Sequence, residues 1–187
     1  LALSWSLDFF PFDSLRTRTK HLKNEHDNAM SRSSPYITSE GYQALRAELA
    51  ELWVRRREVV VHLSAAAAEG DRSENAEYIY RKKQVRELDR RIRYLQKRLP
   101  VLKVVERPPG SAPSQVFFGA TVTLVDEDDR QVSYRIVGSD EFDPAKNWIS
   151  IDAPMSAALL KRAMDDEVTV RTPSGDQHWW VVDVTYD

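Results

Sequence analysis

Two apolar stripes of heptad spacing, parted by a bend of a few residues, restrict this 187-residue chain more than any other feature. Tyr42, Leu45, Leu49, Leu52, Val59, Leu63 and Ala66 follow alternating steps of three and four, with only Arg56 out of character. Such a stripe is the narrow seam of a coiled coil, not the broad face of a generic amphipathic helix. Thr38 or Ser39 is placed to cap it, and the alanines from Ala65 to Ala68 narrow it toward Gly70, a residue suited to the position just past a helix end. Tyr78, Val85, Leu88, Ile92, Leu95, Leu99 and Leu102 repeat the pattern, interrupted at Arg81, and predict a second helix from about Ser73 to Leu99. Pro100 should stop or kink it, because proline lacks the amide donor and clashes with the preceding turn. Two helices joined so tightly must fold back as an antiparallel coiled-coil hairpin. From Tyr42 to Gly70 the arm is roughly 40 Å long at 1.5 Å per residue, which makes a rod with GDRSEN at its tip.

The remainder reads as β-rich. VFFGATVTLVDEDDRQVSYRIVG gives two alternating strands around an acidic turn at Asp126 to Asp129. WISI is a short strand, and Pro154 to Arg162 a short helix with proline near its start. EVTVRTPSGDQHWWVVDVTY is a hairpin turning at Pro173-Ser174-Gly175. The fold class is therefore α+β: an N-terminal helical hairpin over 35–105, a Pro/Gly/Ser linker over 106–115 and a small α+β globule over 116–187. Residues 1–34 are expected to be a disordered extension, since LALSWSLDFFPF lacks a basic start and is broken by Asp8, Pro11 and Asp13, while Met30 opens a natural-looking beginning.

Several function classes drop out. No run of eighteen apolar residues exists, so no membrane partner is expected. The absence of cysteine removes disulfides and thiolate metal sites and fits a cytoplasmic setting. The four histidines have no metal-ligand spacing, and no P-loop, dinucleotide fingerprint or nucleophile elbow is present. The net charge of −2 conceals an asymmetry: residues 71–103 carry a net +6 and residues 108–187 a net −8. One part can attract a polyanion that another part repels.

The acidic tip has two compatible readings. Asp71 at the N-cap with Glu74 three residues on is a capping box, favoured further by the positive end of the helix dipole. The same two carboxylates can supply oxygen ligands to Mg²⁺, which often takes only one or two protein carboxylates. A pair that small cannot hold the ion alone, but it can complete a partner's metal site that activates water for phosphodiester hydrolysis. Behind the tip run Arg81, Lys82, Lys83, Arg86, Arg90, Arg93 and Lys97, interleaved with Tyr78 and Tyr80, a combination suited to single-stranded nucleic acid. The competing reading is a solvated basic face, with Arg56 and Arg81 snorkelling out of the seam.

With these motifs in view, the chain from about residue 36 to 187 resembles the bacterial Gre transcript-cleavage factors, transcription elongation factors. GDRSENAEY and YRKKQVRELDRRIRYLQKRL carry the resemblance most specifically, and VFFGATVTL, YRIVGSDE, NWISIDAPMSAALLK and VRTPSGDQHWWVV follow in order. The dense basic run is similar to the GreB-like branch, since GreA-like proteins have a sparser patch. The resemblance implies an FKBP-like C-terminal domain docked at the rim of the RNA polymerase secondary channel, with the coiled coil reaching the active site. It implies that Asp71 and Glu74 share a Mg ion with the polymerase, supported by Asn75 and Tyr78. It also implies that Arg81, Lys82, Lys83, Arg86 and Arg90 engage the 3′ end of nascent RNA in a DNA-bound elongation complex. A monomeric factor that stimulates the polymerase's own cleavage of backtracked RNA, without being an enzyme itself, is the expectation.

The sequence departs from the family pattern at RRREVVV (55–61), where an Arg-Pro step is usual and the helix is one residue shorter; at Ala153, usually Ser; and at Pro100. The first bears on how the tip is rotated relative to the rod. Two other functions share parts of this reading. A channel-binding regulator without cleavage activity would use the same rod and globule but not the acidic tip. A prolyl isomerase would follow from the globule's fold alone, which is weak warrant for activity.

Overall fold

The computed structural model describes residues 33–68, 75–106, 114–172 and 175–186. The chain divides into Leu1–Ser33 and Ser34–Asp187. The expected extension falls almost wholly outside the described residues, and so does most of the linker.

The heptad stripes become helices α1 (Ser39–Ala68) and α2 (Ala76–Arg98), antiparallel neighbours packed along the seam. Every seam position from Tyr42 to Ala66, Arg56 included, is buried or half-buried, as is every one from Tyr78 to Leu102. Thr38 is the N-cap of α1: its Oγ1 accepts a hydrogen bond from the Gly41 amide at 3.0 Å. At 30 residues α1 is about 45 Å long. Pro100 ends α2 as expected, through a 3₁₀ turn at Leu99–Val101. The start of α2 corrects the sequence reading: the helix begins at Ala76, not Ser73, and its cap is Asn75.

The polar interruptions of the seam are ion pairs rather than snorkelling side chains. Arg56 Nε lies 2.6 Å from Asp89 Oδ1 on the facing helix. Arg81 turns along its own helix to Glu77, at 2.7 Å. A third, bidentate bridge joins Arg91 to Glu48 across the hairpin at 2.6 and 2.7 Å. Its hydrogen bonds hold the Arg91 pKa above the ordinary arginine value.

The chain enters and leaves the hairpin through two short strands that sequence periodicity cannot reveal. β1 (Tyr36–Ile37) and β2 (Lys103–Val104) pair in parallel, with Lys103 N donating to Pro35 O and Val105 N to Ile37 O. Ile37 is fully buried there with Leu45 and Leu95, so the root of the rod has its own apolar core.

The globule is a five-stranded sheet in the order β5-β4-β3-β7-β6, from β3 (Ala120–Asp126), β4 (Gln131–Val137), β5 (Trp148–Ser150), β6 (Glu167–Thr172) and β7 (Gly175–Tyr186). α3 (Pro154–Leu159) contributes Leu159 to a core with Val116, Val122, Leu124, Ile136 and Val181. β3 alternates cleanly between buried and half-buried residues, as a strand with one face on a core must. Gln115, expected in the linker, bridges to Ala163 and so belongs to the globule. All strand pairs of this sheet are antiparallel except β4 with β5. That parallel crossover runs through residues 138–147 and contains Asp140 and Glu141.

Those two acids fasten the rod to the sheet. Asp140 receives Arg98 Nε at 2.8 Å and the Tyr94 hydroxyl, while Arg98 Nη2 donates to Ser34 O at 2.6 Å. The Glu141 carboxylate accepts from Thr38 N at 3.0 Å, Gly138 N at 2.9 Å and the Thr38 hydroxyl. A buried charge persists only when its hydrogen-bonding capacity is filled, and both acids meet that condition. The approach is close enough to require glycine twice. A Cβ on Gly41 would stand 2.1 Å from Glu141 Oε1, and one on Gly138 2.4 Å from Tyr36 O.

Candidate functional site

Asp71 and Glu74, the two carboxylates of the tip, lie outside the described residues. What brackets them is described. α1 runs to Ala68, and seven residues later Asn75 takes an extended backbone, φ −79° and ψ 101°, as the cap of α2. Its Oδ1 accepts from the Tyr78 amide at 3.1 Å, and its Nδ2 donates to the Ala66 carbonyl at 3.0 Å. One side chain thus satisfies an orphan donor at the start of one helix and an orphan acceptor at the end of the other. The capping box drawn from sequence required Asp71 to begin the helix, and Asn75 does so instead. The capping role at the start of α2 is therefore Asn75's.

Tyr78 is half-buried in the seam, held by its amide to Asn75, with the Lys82 ammonium 5.4 Å from its ring centroid. The basic run behind it does not form a single patch. Arg81 is half-buried, spent on Glu77 and on Gln84 Oε1 at 3.2 Å, with its guanidinium 5.4 Å from the Tyr80 ring. Lys82, Lys83, Arg86 and Arg90 are exposed and make no ion pair among the described residues. Lys82, Arg86 and Arg90 follow the outer side of α2 with Arg93, a stripe of positive charge in solvent, while Lys83 lines a groove on the flank of the hairpin. The structure therefore separates one architectural arginine from four available cations. Heptad position was the signal: Arg81 sits on a seam letter, the others on outer ones.

Two features escaped sequence reasoning. One is the buried anchor of Arg98, Asp140 and Glu141, whose residues read as ordinary surface charge. The other is a groove on the flank of the hairpin, lined by residues of both helices including Arg55, Tyr80 and Lys83. Among the described residues no group of three or more His, Asp or Glu is placed to hold a metal ion, and no helix is long and apolar enough to cross a membrane.

Known proteins share this organisation. Residues 35–104 match the family described as Transcription elongation factor, N-terminal, and residues 111–186 the family described as Transcription elongation factor, GreA/GreB, C-term. The chain is 55% identical to Transcription elongation factor GreB of Yersinia pestis over 82% of its own length and 90% of that protein. It is 57% identical to the protein of the same name from Pseudomonas aeruginosa, over 82% of this chain and 91% of that one. Among solved structures, the prokaryotic transcription elongation factor GreA/GreB from Nitrosomonas europaea is 30% identical, covering 51% of this chain and 79% of that one, with a TM-score of 0.37. GreA factor homolog 1 of Thermus thermophilus is 24% identical, covering 80% of this chain and 97% of that one, with a TM-score of 0.38. With both halves matched in order, and more than half of its residues shared with these relatives over four fifths of its length, the chain belongs to the GreA/GreB family of transcription elongation factors.

Proposed function

We infer that this elongation factor binds RNA polymerase at the rim of its secondary channel and stimulates the polymerase's own cleavage of backtracked nascent RNA, so that elongation resumes. The observation that carries the reading is the division of labour at the tip. Asn75 caps α2 and ties its start to the end of α1, a helix about 45 Å long, so the capping role does not call on Asp71 or Glu74. Two carboxylates are a hard oxygen donor set that fits Mg²⁺ and is too small to hold it alone, so the ion is shared with the polymerase. Bound there, the ion would lower the pKa of a water for attack on a phosphodiester. Asp71 and Glu74 supply two oxygen ligands, and Asn75 and Tyr78 fix the backbone from which they project. Lys82, Lys83, Arg86 and Arg90 hold the extruded 3′ end by its phosphates. The factor is not an enzyme by itself, and it works in the cytoplasm, on the DNA-bound elongation complex.

The test compares RNA cleavage in backtracked complexes with wild-type protein and Asp71→Asn, at equal occupancy of the polymerase. Loss of about a hundredfold in the stimulated rate is expected, since metal activation is worth several kcal/mol. Equal rates would remove the carboxylate from the mechanism and leave a regulator that only binds the channel.

A further inference from the structure

The two flanks of the hairpin differ. On the flank that carries the Glu48–Arg91 bridge, residues of both helices line a groove of about 360 Å³, within the size range of small-ligand sites. Leu52 and Leu88 give it an apolar wall, Tyr80, Lys83 and Glu87 enter from α2, and Arg55 enters from α1. Other polar groups in its wall are already engaged: Arg91 by Glu48 and Gln84 by Arg81. Arg55, Lys83 and Glu87 are exposed and have no ion-pair partner among the described residues. Tyr80 is not a seam residue, and it is 57% exposed beside the groove.

An exposed aromatic ring, two uncommitted cations and one carboxylate acceptor are the complement of a nucleotide. A base would stack on the face of the Tyr80 ring opposite the Arg81 guanidinium, its phosphate would meet Lys83 and Arg55, and Glu87 would accept a hydrogen bond from an exocyclic amino group. Tyr80 and Lys83 follow the Asn75 cap by about 8 and 12 Å along the helix axis. A strand whose end lies at the tip reaches this groove only when more than one nucleotide extends past it. The outer stripe of Lys82, Arg86 and Arg90 offers charge but no cleft, and so serves backbone phosphates in any register.

We propose that this groove is a nucleotide subsite for extruded single-stranded RNA, in which Arg55 of the first helix joins Tyr80 and Lys83 of the second and fixes the flank along which the strand runs. The proposal rests on the transcript-cleavage reading and deepens it. The test measures stimulated cleavage at sub-saturating factor in elongation complexes backtracked by one nucleotide and by about six. In the deep complexes, Arg55→Ala and Tyr80→Leu should each slow cleavage about fivefold or more, the least that loss of one base–aromatic stack costs. Tyr80→Phe should keep the wild-type rate, and all variants should match wild type in the shallow complexes. Arg57→Ala, which removes the same charge from an exposed position outside the groove, is the control. Equal slowing by Arg55→Ala and Arg57→Ala would reduce the effect to general electrostatics and overturn the subsite. Equal slowing at both depths would overturn it as well. A wild-type protein that stimulates no cleavage at either depth would instead sink the reading beneath it.

Discussion

Replacing Arg98 with Met should destabilise the protein through one identifiable ion pair. The Arg98 side chain is 2% exposed and its partner Asp140 6%, so neither charge is screened by solvent. Removing one member of such a pair leaves the other buried and uncompensated, at a cost of about 3–5 kcal/mol. Arg98→Met also strips the Ser34 carbonyl of its donor, a further loss of about 1 kcal/mol. The Tyr94 hydroxyl stays on Asp140 and offsets part of this. A net loss of about 3–4 kcal/mol is expected, which for a chain of this size lowers Tm by roughly 6–16 °C.

The assay is urea unfolding followed by two probes. Far-UV circular dichroism reports chiefly the hairpin, and tryptophan fluorescence chiefly the globule, where Trp148, Trp179 and Trp180 lie. Because the lost pair joins α2 to the β4–β5 crossover, the two transitions should separate in the variant more than in wild type. The double variant Arg98→Met with Asp140→Leu removes both charges and should recover most of the stability, since apolar replacement of a whole buried pair is often neutral. A single-variant loss below about 1 kcal/mol would refute the buried-pair argument. A double variant as unstable as the single would assign the cost to packing instead of charge.

Two smaller predictions concern the same rod. Burial and the hydrogen bond to Asp140 push the Tyr94 pKa up to about 12, so the folded protein keeps a proton that the unfolded chain gives up near 10. That stabilisation is complete below pH 10 and lost as pH rises through about 12; Tyr94→Phe should flatten the fall in urea midpoint across this window, and an unaltered slope would contradict it. At the tip, Asn75→Ala should cost about 1 kcal/mol of helix capping and leave the Ala66 carbonyl unpaired, whereas Asn75→Asp keeps the acceptor and loses only the crossing donor. Amide exchange at Tyr78 should therefore rise more in the alanine variant, and equal rises would argue against the cap.

The rod was legible because heptad periodicity is a repeated signal: each of some sixteen seam positions votes for the same geometry, and single polar interruptions do not outvote the rest. The strands of the globule were legible for the same reason at period two. The root of the rod was not. β1 and β2 are two residues each, too short to show a period, and their pairing joins positions far apart in sequence. Asp140 and Glu141 follow a glycine and a serine, and such a stretch reads as a polar turn. Only the close approach of Thr38, Gly41 and Arg98 makes them buried anchors. The cap was misplaced because DRSE offers a complete capping box, whereas NAEY offers only a capping side chain with tyrosine three residues on. The reach of Asn75 back to Ala66, set by where α1 ends, decides between them.

The same root and tip explain why a strongly basic helix can serve as both scaffold and binding surface. Arg81, Arg91 and Arg98 occupy seam or seam-flanking positions of α2, and each is matched by a carboxylate at 2.8 Å or less. Lys82, Lys83, Arg86 and Arg90 occupy outer positions, where they are exposed and make no ion pair among the described residues. Heptad geometry thus sorts one run of like charges into cations engaged by carboxylates of the fold and cations left for a polyanion. The asymmetry of net charge between residues 71–103 and the globule acts in the same direction, since the acidic globule repels what the rod attracts. The ion pair of Arg98 with Asp140 and the hydrogen bonds of Glu141 to Thr38 tie the base of that rod to the domain that carries it.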